Sequence, residues 1–552
     1  DALGDIDEQT DGVLVHSENF QALNLMQRRY REKIKCVYID PPYNTGNDDF
    51  LYKDNYQHSS WLSMVHDRLE RARRLMSAEG GLFASIDYNE EVNFKFILED
   101  VFGSEQYRNT IIPSRVKKSI MEKDRVKSLN WGTGSLLFFA STAKTTILPP
   151  IKGLDRKSSE KWHAFDAPGI RPTMEYSLFG RKPPVGRHWM YSQENAQRMI
   201  TNGELRLNQK SGNIQYRIPN SNQVILDTNW TDIIESSSKW SFLTEKNIDL
   251  LVRAFKMMVL QDELLLDFFA GSGTTGHAVI NLNREDGGKR KFILVEMADY
   301  FDTVLLPRLK KVTFTPEWKD GKPKRLATTD EAERSPRMFK VIRLESYEDT
   351  LNNLELRRTP AQEDALFSNE AQGPGNLKEQ YMLNYMLDVE SRGSQSLLNI
   401  DAFKDPLSYT LKVKRPGSDE SQDTTVDLME TFNWLIGLTV KEMSAPQHFD
   451  ASFERDSEGR LTLKDRLHPS QNGRWWIRTI HGTLPNDNQE ALVIWRNLPS
   501  SPEEDNVILN EWFKKSDCST KEKLPNYIYV NGTNNLENIR LPDATWKVRL
   551  IE

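Results

Sequence analysis

A chain of 552 residues is too long for one hydrophobic core, so several domains are expected. Apolar residues at 38% and charged residues at 28% are ordinary for a folded protein, and the longest apolar runs, such as Leu136–Ala140, exclude a membrane-spanning helix. Two cysteines, Cys36 and Cys518, exclude a disulfide framework and a cysteine-rich zinc site and fit a reducing, cytoplasmic setting, while a net charge of −7 means that any nucleic-acid contact needs a local basic surface. The sequence opens on Asp1 without a signal-peptide pattern, and a preceding segment is expected.

In chain order, Gly12–His16 is strand-like, and Ser17-Glu18-Asn19 leads into a helix from Phe20 to Arg31. Cys36–Ile39 is the next strand, in which Cys36 reads as a small buried hydrophobe. It ends at Asp40-Pro41-Pro42-Tyr43, and a polar loop runs from Asn44 to Gln57. His58–Met76 places Leu62, Val65, Leu69, Ala72 and Leu75 on one helical face, and Gly80-Gly81 is expected to stop it. Leu82–Ile86 is a strand ending at Asp87, followed by a helix over 89–101 and strand-like runs at 107–113 and 135–141.

Between about 114 and 240 the character changes. Pro, Gly, Asn and Ser are frequent, and over residues 111–235 Lys and Arg number nineteen against eleven Asp and Glu. Trp131, Trp162, Phe165, Tyr176, His188, Trp189 and Tyr216 are interleaved, a pattern that offers charge to phosphates and stacking surfaces to bases. A solvated insertion with a small core of its own is the plainer alternative. Helical sequence then runs to about Met258 with Thr244 as the expected N-cap. Glu263–Asp267 is a strand that enters a glycine loop, and Lys291–Val295 is a strand ending at Glu296. Residues 355–375 read as a linker and 376–445 mix both signals; strands are expected at 475–480, 491–496, 527–531 and 546–551. No internal repeat is evident.

Two motifs carry chemistry. Two prolines cannot continue a strand ladder, so Asp40–Tyr43 is a rigid turn. At the carboxyl end of a strand it would present a carboxylate, a carbonyl and an aromatic ring to a ligand crevice. A strand ending in a Pro turn with an Asp cap is the structural alternative. The loop Asp267-Phe-Phe-Ala-Gly271-Ser-Gly273-Thr-Thr-Gly276 lacks the Lys-Ser/Thr of a phosphate loop, and its glycines alone do not establish a dinucleotide site. Small glycines let a ligand tail approach the backbone, and Glu296 is placed to accept ribose hydroxyls.

Together the turn and the loop resemble the amino-methyltransferases of DNA, and their order, with the basic stretch between them, is the permuted beta-class arrangement. Asp40–Gly46 through Trp61-Leu62 to Phe83–Glu90, Asp267–Ala278 through Val295-Glu296, and the tail segments Tyr381–Gly393 and Tyr529–Gly532 resemble the modification subunit of Type III restriction systems. Ser17-Glu18-Asn19 departs from the usual Gly-Asp-Asn, and Trp131-Gly-Thr-Gly134 from the usual His-Glu-Tyr. The resemblance implies a Rossmann-like α/β methyltransferase sheet in permuted order, with an inserted target-recognition domain and a C-terminal α/β extension. The implied division is a core of residues 1–113 and 241–330, an insertion over 114–240 with a core strand near 135–141, a mixed extension over 331–445, and a C-terminal domain over 446–552.

The resemblance also implies S-adenosylmethionine as cofactor and the N6 amine of a flipped adenine in double-stranded DNA as target. Asp40, Pro41, Pro42 and Tyr43 would be catalytic, with Asp40 and the Pro41 carbonyl accepting the amine protons and Tyr43 stacking on the base. Asp267, Phe269, Ala270, Gly271, Ser272, Gly273, Thr274, Glu296, Thr244, Lys246 and Glu18 would bind the cofactor, and no metal is expected. A homodimer is expected, through the tail (its apolar helix from Leu428 to Leu438 included) and the insertion, as is a helicase–nuclease partner. Methylation of cytosine N4 is the nearest alternative, though Asp40 favours adenine; a DNA-recognition scaffold for a nuclease complex is the alternative from another class.

Overall fold

The computed structural model describes residues 5–44, 57–115, 131–153, 161–218, 223–237, 242, 244–319, 322–368, 371–373, 375, 377–392, 394, 403–415, 420–485, 489–516, 525–538 and 547–551. The polar loop after Asn44 lies almost wholly outside these residues, as does Cys518. The chain forms two compact units, one of residues 1–147 with 228–552 and the other of residues 148–227.

The first unit opens with β1 (Gly12–His16), α1 (Asn19–Tyr30), β2 (Ile34–Ile39), α2 (His58–Leu75), β3 (Met76–Ile86), α3 (Glu91–Phe102), β4 (Tyr107–Ser114) and β5 (Ser135–Ala140). It resumes with β6 (Asn229–Ile234), α4 (Ile248–Met258), β7 (Leu264–Asp267), α5 (Thr274–Asp286), β8 (Lys291–Glu296), α6 (Leu306–Phe314) and β9 (Phe339–Arg343). The nine strands form one sheet in the order β6-β4-β5-β3-β2-β7-β8-β1-β9. β5 runs antiparallel to β3 and β4, and every other pairing is parallel.

Alternation along β2 explains the layers. Val37 and Ile39 join a core with Ala22, Leu23 and Met26 of α1, Val65 and Leu69 of α2, and Phe94 and Leu98 of α3. Cys36 and Tyr38 join another core with Leu251, Phe255 and Met258 of α4, Val279 of α5, and Leu309 of α6. A parallel sheet buried on both faces by crossover helices follows from that pattern. Burial pushes the Cys36 thiol well up, in keeping with its reading as a hydrophobe.

Several expectations need correction. Gly80-Gly81 does not stop a helix: α2 ends at Leu75 and both glycines lie within β3. An added Cβ at Gly80 would approach the Ile34 and Ser77 carbonyls to 3.0 Å, so this irregular stretch of strand needs the bare backbone. Thr244 does not cap α4; Asn247 does, its side chain accepting from the Asp249 N–H at 3.0 Å. The stretch 114–240 is not one unit, because β5 and β6 belong to the large sheet, and the compact insertion is 148–227. That unit has a core of Phe165, Leu178, Trp189, Ala196, Leu205 and Ile214.

Residues beyond 330 do not separate from the core. β9 adds to the large sheet beside β1, and α7 (Leu428–Ile436) packs on α1, with Trp434 buried in the same core as Met26. Lys340 of β9 pairs with Asp7 and Glu430 at 2.8 and 2.7 Å, and Asp7 also holds Arg29. Burial alone would raise the Asp7 carboxyl, but Arg29 and Lys340 outweigh it and hold it below its usual range. Leu428, Met429, Trp434 and Leu438 are therefore buried within the chain, whereas Leu435, also expected on the dimer face, is exposed.

The stretch 355–375 is not wholly a linker either, since Pro360–Phe367 is a helix with a Thr359/Gln362 capping box. A second sheet contains β10 (Thr439–Met443), β11 (Gln447–Asp450), β12 (Trp475–Thr483), β13 (Glu490–Arg496), β14 (Tyr527–Asn531) and β15 (Val548–Ile551). α8 (Pro502–Lys515) crosses from β13 to the parallel β14. β12 to β15 overlap the strands expected at 475–480, 491–496, 527–531 and 546–551, but this sheet belongs to the same compact unit as the large one.

Candidate active site

β2, β7, β8 and β1 are neighbours and all parallel, so their carboxyl ends lie side by side. Asp40, Asp267 and Glu296 leave three of those ends, and Ser17-Glu18 leaves the fourth. Motifs more than two hundred residues apart in the chain are thus brought to one edge, where an open α/β sheet has its ligand crevice.

The turn after β2 is held from several sides. The Pro42 carbonyl accepts from the indole N–H of Trp61 at 2.8 Å, and Trp61 is fully buried against Phe94. Asn44, with φ of 54°, donates to Glu90 at 2.7 Å, and Glu90 also binds Asn93 at 2.8 Å and His58 at 2.6 Å. Among the described residues the Pro41 carbonyl accepts no hydrogen bond.

Lys246 is drawn to this turn. Its ammonium lies 3.2 Å from Asp40 Oδ1 and donates to the Tyr43 hydroxyl and to Glu235, while its Nζ sits 4.9 Å from the centre of the Tyr43 ring. Tyr43 in turn donates to Glu235 at 3.2 Å. Asp40 Oδ1 is buried and ion-paired, with no well-aligned hydrogen bond to it among the described residues, although Tyr43 and Lys246 help hold the carboxylate. Burial raises the Asp40 carboxyl despite Lys246; burial lowers Lys246, but Asp40 and Glu235 outweigh it and raise the ammonium. Each charge therefore depends on the other.

The glycine loop lies beside the turn. Asp267 accepts from the Phe269 N–H at 3.0 Å and from the Thr275 hydroxyl at 2.6 Å, and burial lifts its pKa to about 7. The Ala270 N–H donates to the Val295 carbonyl at 3.1 Å, tying the loop to β8. Glu296 accepts from the Gly271 N–H at 2.8 Å and from the N–H groups of Met297 and Ala298 at 2.9 and 3.0 Å. Burial raises the Glu296 carboxyl against the pull of these donors. Gly271 has φ of 53°, and an added Cβ would meet nothing closer than Phe242 at 3.9 Å, so open space lies over the backbone there. Beneath the loop Arg308 donates to the Ser272 and Thr274 hydroxyls at 2.7 and 3.1 Å and to Glu245 at 3.2 Å. Burial lowers the Arg308 pKa to about 10 although Glu245 opposes it.

The structure thus gathers Asp40–Tyr43 with Asp267–Thr274 and Glu296 but gives two expected residues other settings. Lys246 faces the turn, whereas its neighbour Glu245 serves the loop through Arg308. Glu18 caps α1, accepting from the Phe20 and Gln21 N–H groups at 2.8 and 3.2 Å, and pairs with Arg68. Glu235, Glu90, Trp61 and Arg308 carry no role in the sequence reading. Trp61 and Glu90 lie in the stretches that carry the resemblance, whereas Glu235 and Arg308 go unmarked.

Residues 34–304 match the model of the DNA methylase family that covers N6 and N4 enzymes. The chain is 28% identical over 344 residues to the Type III restriction-modification enzyme StyLTI Mod subunit of Salmonella typhimurium, covering 52% of each chain. It is 27% identical over 351 residues to the Type II methyltransferase M.KpnI of Klebsiella pneumoniae, covering 53% of this chain and 82% of that one. Among solved structures, that of the M1.HpyAVI–SAM complex is 14% identical with a TM-score of 0.31, covering 54% of this chain and 98% of that one. The chain spans about half the length of the Mod subunits of Salmonella typhimurium and Haemophilus influenzae that it matches. Both motifs lie within the stretch 34–304 that matches this DNA methylase model.

Proposed function

We propose that the chain transfers a methyl group from S-adenosylmethionine to the N6 amine of adenine in DNA. The observation that carries this reading is Asp40 Oδ1, buried and charge-compensated by Lys246 at 3.2 Å but with hydrogen-bonding capacity unused among the described residues. An exocyclic amine is a weak nucleophile because its lone pair is delocalised into the ring. Asp40 and the Pro41 carbonyl each accept a hydrogen bond from one of its N–H groups, which favours a pyramidal nitrogen and strengthens as positive charge develops there. The rigid double-proline turn, pinned by Trp61 and Glu90, fixes the direction of that lone pair.

The loop residues fit the cofactor: the space over Gly271 suits an extended tail, and the Asp267 and Glu296 carboxylates suit hydroxyl or ammonium donors. Asp267, Phe269 to Thr274 and Glu296 would hold it. When bound, S-adenosylmethionine supplies an electrophilic methyl group. Cytosine N4 remains the second reading, favoured by the breadth of the matched family. By its likeness to Mod subunits, the chain acts as the modification and recognition subunit of a Type III system, with residues 148–227 reading double-stranded DNA and a helicase–nuclease chain as partner. Homodimerisation belongs to the same reading, but α7 no longer supports it; a monomer in light scattering would remove it.

Incubating the protein with labelled S-adenosylmethionine and unmethylated DNA, then digesting to nucleosides, is the test. N6-methyladenine is expected. N4-methylcytosine would move the target to cytosine, and no labelled nucleoside would end the methyltransferase reading.

A further inference from the structure

Two carboxylates, Asp40 and Glu235, share the one ammonium of Lys246. Glu235 is buried at the end of β6, and its backbone is fixed on both sides: its N–H donates to the Ser114 carbonyl at 2.8 Å and its carbonyl accepts from Asn247 at 2.8 Å. Gly134 leaves room for its carboxylate, which an added Cβ there would strike. Lys246 and Tyr43 both donate to Glu235 Oε1, and Lys246 also donates to the Tyr43 hydroxyl. Two of the three ammonium protons are thereby taken by Tyr43 and Glu235, and Nζ stays 3.2 Å from Oδ1 without a well-aligned hydrogen bond to it.

This arrangement separates two jobs that an ion pair normally combines. Lys246 compensates the charge of Asp40 without occupying the lone pair that an incoming amine needs. Were Glu235 not competing for them, the ammonium protons would turn to Asp40 and fill that position. We propose that Glu235 is a positioning residue for methyl transfer, acting through Lys246 and Tyr43 to keep the acceptor oxygen of Asp40 open. The inference rests on the methyltransferase reading and assigns a role to a residue outside both motifs.

The test compares wild type with Glu235→Gln and Glu235→Asp, using labelled S-adenosylmethionine and unmethylated DNA, with cofactor binding by calorimetry as the check on folding. Glu235→Gln should lower kcat by about tenfold or more, the effect of one hydrogen bond to a charged group, while cofactor affinity stays within about twofold. The groups acting electrostatically with Asp40 are Lys246, Glu235 and Tyr43, with Tyr38 on β2 and Asp267 on β7. Removing the Glu235 charge, which raises the Asp40 carboxyl, should move the acid limb of the kcat–pH profile to lower pH. Glu235→Asp keeps the charge but shortens the reach, so it should slow transfer with the limb in place; it carries the test if the Gln variant does not bind cofactor. Undiminished transfer in both variants, or an unmoved acid limb in a slowed, cofactor-binding Gln variant, overturns the proposal. Absence of transfer by the wild type instead defeats the reading beneath it.

Discussion

Asp40 and Asp267 stand at the ends of adjacent strands, but their oxygens are used differently. Both Asp267 oxygens are committed within the loop, whereas Asp40 Oδ1 has only an ion pair. Asp40→Ala should therefore cut methyl transfer by roughly 10²–10³, as removal of a transition-state contact does, with S-adenosylmethionine binding by calorimetry largely kept. Asp267 gives a stability signature. Its folded pKa of about 7 lies above the ordinary 3.8, so the folded state binds its proton more tightly than the unfolded chain. The stability this confers is present below pH 4 and is lost as pH rises to about 7. Melting temperatures should show wild type losing ground to Asp267→Asn across that window, and a constant difference would mean that Asp267 titrates normally. Both acids were legible in the sequence because each closes an apolar strand. Glu235 and Arg308 were not, because their roles rest on partners brought in by the fold: Tyr43 is far from Glu235 in the chain, and Ser272 is remote from Arg308.

At the scale of elements, the glycines of one loop divide between ligand and fold. A Cβ at Gly276 would meet Leu309 at 3.0 Å and Leu294 at 3.1 Å, where α5 packs on α6 and β8. Gly276→Ala should thus destabilise the protein by about 1–3 kcal/mol through overpacking, read as a lower melting temperature. Gly271→Val should instead weaken cofactor binding, because its side chain enters the open space over the backbone and its φ of 53° resists a β-branched residue. Unchanged affinity by calorimetry would show that the loop holds something else. The strands and helices of the core were legible from periodicity, since alternation along β2 and the five-residue face of α2 are strong signals. Boundaries set by local competition were less so. Asn247 displaces Thr244 as the cap, and the Thr359-Pro360 start and Gln362 of a capping box were passed over within a polar stretch.

For the whole molecule, chain order misled where distant segments complete a shared core. β6 and β9 form the two edges of the large sheet, and α7 reaches back to α1. Trp434, with Arg29 5.0 Å from its ring centre, lies in that core. Trp434→Ala should cost about 3–5 kcal/mol and lower the melting of the catalytic core itself; an unaffected core transition would show that the tail unfolds separately. The smaller unit is different. Ile151–Gly153 pairs with Gln223–Ile225, so its first and last strands are joined to each other. Replacing 148–227 by a short linker should leave cofactor binding intact while abolishing DNA binding in a gel-shift assay.

Glu245 and Lys246 are consecutive, yet one holds the glycine loop through Arg308 and the other faces the double-proline turn. A single peptide unit therefore joins the two halves of the crevice by a route that bypasses the sheet. Any coupling carried by it is thermodynamically reciprocal. Whatever factor an occupant of the turn adds to affinity at the loop, an occupant of the loop must return to the turn.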